Sequence, residues 1–203
     1  PAYEIDNTQY DAEHKDRFTL EDGRTLNVST PTQMQHYHSN MAAFIEIGKW
    51  LDYLKANGVY DNTKIIIVSD HGHTFHQSKE LEFSDPSFYE TSAQNYFPLL
   101  LVKDFNSKGF TVSDEFMTNA DVPTLAFNGL IENPVNPFTG KPINSDEKYA
   151  HDQYIIVSTE WQVTVNNGNT FLPARWVSVS GNIWDKDDWE FCNEEIVLKE
   201  HNF

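Results

Sequence analysis

Asp70 and His71 stand side by side in Ser69-Asp70-His71-Gly72-His73. A carboxylate oxygen next to an imidazole nitrogen makes a donor pair for a divalent metal. The same residues would also serve as a solvated turn in which Asp70 caps the segment that follows. His73, His76 and Lys79 come next along the chain. Histidine exchanges a proton near neutral pH, and a lysine ammonium can hold an anionic oxygen. His73 and His76 are therefore candidates for substrate contact, with ordinary loop residues as the alternative.

Something must aim these side chains. Lys64-Ile65-Ile66-Ile67-Val68 reads as a strand buried on both faces, as in a parallel sheet. In such sheets the chemistry collects at the carboxyl ends of the strands. Neighbouring strand residues point to opposite faces, so two convergent ligands require the strand to stop at Asp70. Gly72 is expected to supply the backbone freedom for that stop. Upstream, Thr30, Pro31 and Gln33 form an N-cap, a first helical position and a capping-box partner. Met34, Tyr37, Met41, Phe44, Ile45, Gly48, Leu51 and Leu54 then recur at helical spacing, a stripe expected to face a sheet, and Asn57-Gly58 is a stop signal. His36 and His38 on this helix read as surface or packing residues. Phe97 to Val102 predicts a second buried strand, with Pro98 at its start. Asn119 to Phe127 predicts a short helix ended at Asn128-Gly129, with Asp121 as a cap or first-turn acid and not a ligand.

Ser69-Asp70-His71-Gly72, with the strand and long helix before it, resembles the alkaline phosphatase superfamily. More narrowly it is similar to the sulfatase-like branch: sulfatases, lipoteichoic acid synthases and phosphoethanolamine transferases. Leu51-Asp52-Tyr53-Leu54-Lys55, Tyr60-Asp61-Asn62-Thr63, Phe97-Pro98-Leu99-Leu100-Leu101-Val102 and Asn136-Pro137-Phe138-Thr139-Gly140-Lys141 extend the likeness over roughly residues 1–141. The resemblance implies that Asp70 and His71 bind the catalytic metal. It also implies a fold, the C-terminal part of an alkaline-phosphatase-like α/β sandwich with a mostly parallel sheet. Members often carry Glu where this chain has His73, so His73 departs from the pattern. The family nucleophile lies upstream of the motif, and the sequence opens on Pro1 with no segment that reads as a signal peptide's basic start and apolar core. The expectation is a C-terminal half, inactive alone, whose partner is the missing N-terminal half.

The activity so implied is hydrolysis or transfer of sulfate or phosphate esters, through a covalent enzyme intermediate. The substrate would be a small anionic ester or a lipid-linked or glycan ester. Mixed oxygen and nitrogen ligation favours manganese or zinc, with magnesium or calcium less suited to an imidazole. An extracytoplasmic location, with a possible membrane anchor upstream, follows from the family. The rival expectation is an inactive member serving as a glycan- or protein-binding module.

Composition closes off other classes. The 203 residues are 39% hydrophobic and 14% aromatic, enough for a packed core and unlike a disordered acidic tail. A formal net charge of −17 argues against nucleic acid or an anionic membrane surface as a partner. The single cysteine, Cys192, rules out an internal disulfide and a multi-cysteine zinc site. No nucleophile elbow, Walker loop, dinucleotide fingerprint or metalloprotease helix is present.

Residues 133–150 carry three prolines and a glycine and read as a linker between an α/β part, 1–132, and a β-rich subdomain, 151–203. In that subdomain, 154–165 and 171–180 predict a hairpin around Asn166-Asn167-Gly168-Asn169, and a third strand is expected near 189–191 or 196–198. Trp161, Trp176, Trp184 and Trp189 read first as core and second as a sugar-stacking face. Asp185, Asp187 and Asp188 read as a surface turn.

Overall fold

The computed structural model describes residues 3–5, 8–10, 17–19, 22–28, 30–74, 78–83, 91–157 and 174–196. His76, Trp161 and the turn expected at 166–169 lie outside them. The chain forms two compact units, Pro1–Ile67 with Leu101–Phe110, and Val68–Leu100 with Thr111–Phe203.

The first unit opens with two antiparallel pairs. Strand β1 (Tyr3–Ile5) pairs with β2 (Thr8–Tyr10), and β3 (Arg17–Thr19) with β4 (Thr25–Asn27). Near the second pair, Gly23 takes a φ of 82°, and the Asp22 carboxylate accepts from the Arg24 amide at 3.0 Å. Helix α1 (Pro31–Ala56) starts as its sequence predicts: the Gln33 amide donates to the Thr30 hydroxyl, and the Thr30 amide donates to the Gln33 side chain, both at 3.2 Å. It ends on Asn57, followed by Gly58 at φ 67°. Its burial departs from expectation, since His38 is the helix's one buried residue. Phe44, Ile45, Trp50 and Tyr53 are exposed, on more than one side of the helix. A helix apolar on several sides is normally covered on several sides.

Four short strands follow: β5 (Ile65–Val68), β6 (Glu82–Phe83), β7 (Thr91–Ser92) and β8 (Leu100–Lys103). Strand β5 pairs with β8, and β6 with β7. Beyond β5 the hydrogen bonds run in opposite order along the two segments, from the Ser69 amide to Leu99 and from the Gly72 amide to Asn95. This two-strand pairing stands where the sequence predicts a mostly parallel sheet, and a large parallel sheet is not found among the described residues. Ile65 is buried, but Val68, Leu99 and Val102 are exposed, and among the described residues β5 has β8 as its one strand neighbour.

In the second unit, the 3₁₀ turn Asn119–Asp121 runs into helix α2 (Val122–Phe127), and α3 (Ser145–Tyr149) comes later. Strands β9 (Gln153–Val157), β10 (Ala174–Val179) and β11 (Trp189–Ile196) form an antiparallel sheet in the order β11-β10-β9. This is the three-stranded unit that the β-branched and aromatic runs predict. Val177, Val179 and Trp189 are buried from this sheet and cluster with Leu81, Phe83 and Ala93. Phe83 meets Phe191 edge-on at 5.1 Å, and Tyr96 stacks on Trp189 at 5.6 Å. Burial pushes the Tyr96 phenol up to about 12. Trp189 is thus a core residue, whereas Trp184 stays 65% exposed.

The segment 133–150 lies inside this second unit. Asn136 Nδ2 donates to Asp121 Oδ1 at 3.0 Å, and Lys148 Nζ lies 3.0 Å from Asp121 Oδ2. The Thr118 amide donates to Asp121 Oδ2 at 2.8 Å. Asp121 is 1% exposed. It is a structural acid, as its place at the helix start suggests, but a fully buried one.

Candidate functional site

The residue after β5 is Ser69. Its hydroxyl accepts from the Leu99 amide at 2.7 Å, and its own amide donates to the Leu99 carbonyl, so the pairing ends on Ser69. Asp70 and His71 then leave the ladder. The His71 amide donates to Asp70 Oδ1 at 2.9 Å, which fixes one carboxylate oxygen. His71 Nδ1 lies 2.5 Å from the Gly72 carbonyl. A carbonyl oxygen can only accept, so Nδ1 carries the proton, and in the neutral ring Nε2 presents its lone pair.

That nitrogen lies 3.7 Å from Asp70 Oδ2. With metal–ligand lengths of about 2.0–2.2 Å, donors so spaced subtend about 120° at a shared ion. The side chains are 67% and 88% exposed for His71 and Asp70, so neither is committed elsewhere by packing. Holding a ligand imidazole through its other ring nitrogen on a backbone carbonyl is a usual second-shell device in metal sites. The pair therefore fits a divalent ion as two of its ligands. Among the described residues, no group of three or more His, Cys, Asp or Glu converges to complete such a site.

Gly72 acts differently from the expectation. It is not among the glycines of positive φ. A Cβ at this position would overlap the Gln94 carbonyl and lie 2.8 Å from the Phe97 oxygen. Close backbone approach, not dihedral freedom, is what demands glycine here. The Gly72 amide donates to the Asn95 carbonyl at 3.0 Å, which locks the turn against the chain leading into β8. Gly72→Ala is expected to cost about 1–3 kcal/mol, the scale of overpacking. Denaturant unfolding of the full chain would check this, and an unchanged midpoint would refute it.

Asn119 is a supporting residue that residue types alone did not reveal. Its Nδ2 donates to the carbonyls of Ser69, at 3.1 Å, and Asp70, at 2.8 Å. It thereby braces the backbone on which the donor pair sits. Nothing in its local sequence signals this, because its partners lie 49 and 50 residues earlier.

The motif opens on a cleft of about 1620 Å³, lined by Asp70, His71, His73, Asn119, Tyr154 and Trp184 among others. His73 is exposed on its wall, with Nδ1 3.0 Å from the Thr74 carbonyl. His76 lies outside the described residues. Lys79, exposed in the 3₁₀ turn Lys79–Leu81, does not line the cleft. The described lining holds neither Lys nor Arg, and it includes the acids Asp114 and Glu115. A cleft with this charge pattern repels polyanions unless a bound cation reverses its sign.

No family model, curated protein or solved structure matches this chain. No helix among the described residues is long and apolar enough to cross a membrane.

Proposed function

We propose that the chain is part of a metal-dependent hydrolase or transferase acting on sulfate or phosphate esters, of the sulfatase or phosphoglycerol/phosphoethanolamine transferase type. The observation that carries this reading is the donor pair itself, with Asp70 Oδ2 and His71 Nε2 3.7 Å apart at a strand end. Asp70 and His71 would hold a divalent ion, manganese or zinc before magnesium or calcium. When bound, that ion supplies Lewis-acid polarisation of the ester and activation of an oxygen nucleophile. Gly72 orients the His71 ring through its carbonyl, and Asn119 fixes the carbonyls beside the donors. His73, and His76 outside the described residues, would be candidates for contact with the substrate. Further ligands and the nucleophile would come from outside the described residues, and the family pattern places them upstream.

The fuller fold reading, an alkaline-phosphatase-like sandwich with a mostly parallel sheet, belongs to the same proposal. It is supported by the exposed apolar residues of α1, β5 and β8, which additional strands and their connections would cover. The substrate would be a small, lipid-linked or glycan ester, met outside the cytoplasm.

Metal analysis of the complete protein after dialysis tests the reading. The parent protein is expected to retain stoichiometric manganese or zinc, and Asp70→Ala and His71→Ala are each expected to lose it. Unchanged metal content in both variants would sink the proposal and leave a glycan- or protein-binding module as the better reading.

A further inference from the structure

The donor pair fixes where an ester would react but not what carries it. Trp184 bears on that question. It is 65% exposed, although tryptophan is the largest apolar side chain and normally finds cover. Its placement is enforced by a hydrogen-bonded loop. The Trp184 amide donates to Asn182 Oδ1 at 3.0 Å, the Asp185 amide to the Asn182 carbonyl at 2.9 Å, and the Asn182 amide to Asp188 Oδ2 at 2.6 Å. Gly181 turns this loop at φ 78°, and a Cβ there would lie 2.9 Å from Asp188 Oδ2.

The indole rests on Phe97, with ring centroids 4.6 Å apart and planes inclined by 59°. Phe97 is also the residue whose carbonyl crowds Gly72. A short physical chain thus runs from the Asp70-His71-Gly72 turn through Phe97 to an exposed indole in the same cleft. Tyr154, 58% exposed, adds a second ring to that cleft.

We propose that Trp184 is a specificity-determining residue, the platform for the face of an uncharged pyranose ring. Sugars present C–H faces that pack on aromatic rings, and a braced, pre-ordered indole loses little entropy on meeting one. The absence of Lys and Arg from the described lining, with Asp114 and Glu115 present, makes heavily sulfated or phosphorylated chains poor occupants. The substrate class is therefore a neutral glycan carrying an isolated ester. This deepens the proposed function and depends on it only for the fate of the ester.

The test is binding without turnover, by ligand-observed NMR titration of the full chain with cellotetraose and with a polysulfated tetrasaccharide. Cellotetraose is expected to bind in the millimolar range. Trp184→Ala is expected to weaken it about tenfold, and Trp184→Phe by less than about threefold. The titrations are run on protein dialysed against a chelator, so a failed metal reading does not disturb the measurement and no bound cation alters the charge of the cleft. The polysulfated sugar is expected to bind at least about tenfold more weakly than cellotetraose. Parent-like affinity in Trp184→Ala, no binding of cellotetraose, or equal affinity for the sulfated sugar would each overturn the proposal.

Discussion

His71→Ala in the complete protein is expected to lower kcat on aryl phosphates or sulfates by about a thousandfold. That is the scale for losing one well-aimed electrostatic group at a transition state. KM should move little, because the lost group acts on the reacting centre and not on the body of the substrate. Unfolding cannot account for such a loss. His71 is 67% exposed, and exposed substitutions usually change stability by no more than about 0.5 kcal/mol. Its Nδ1 proton is held by the Gly72 carbonyl, so His71→Gln would supply a donor atom without the fixed ring orientation. It should rescue only a small part of the rate. Turnover in His71→Ala equal to that of the parent would refute the assignment.

Lys148→Met carries the largest expected cost to stability, about 3 kcal/mol, the lower end of the range for orphaning one member of a buried ion pair. The lower end applies because Asp121 keeps its bonds from Thr118 and Asn136. Burial pushes the Asp121 carboxyl up, but the Thr118 amide, Lys148 and Asn136 outweigh it and hold the carboxyl below its ordinary 3.8. A depressed carboxylate contributes stability above that ordinary value and loses it as pH falls through the folded one. Without Lys148 the burial effect is less opposed, and protonation relieves the orphaned charge. The stability gap between parent and Lys148→Met should therefore narrow as pH falls below about 4. Combining Asp121→Asn with Lys148→Met should recover most of the loss, since neither partner then leaves a buried charge. Urea unfolding at pH 7 and near pH 3 would show both effects. A gap that widens in acid would refute the ion-pair account.

Local signals in the sequence translated well. Thr30, Pro31 and Gln33 placed the start of α1, and Asn57-Gly58 its end, because caps are settled by a few neighbouring residues. The runs around Gln153–Val157, Ala174–Val179 and Trp189–Ile196 announced three strands of one antiparallel sheet for the same reason. Long-range relations were hidden. Asp121 reads as a helix-start acid, but its partners Asn136 and Lys148 sit in a proline-bearing stretch that composition marks as a linker. Gly72 was expected for its dihedral freedom, and its actual constraint comes from the Gln94 and Phe97 carbonyls, more than twenty residues later. The closeness of Asp70 and His71 was legible because the two residues are adjacent in the chain. Asn119, which steadies them from far along the sequence, was not.

The uncovered residues of α1 set how this chain behaves as a colloid when it is produced without the covering strands proposed above. Phe44, Ile45, Trp50 and Tyr53 face solvent on a chain whose formal charge is −17. In dilute buffer, mutual repulsion acts over roughly 10 Å at 0.1 M salt and keeps such surfaces from meeting. In 1 M salt that reach contracts to about 3 Å, and encounters between copies are then governed by aromatic surface instead of charge. Ionic strength, more than concentration alone, decides which of these two surfaces a neighbouring molecule meets first.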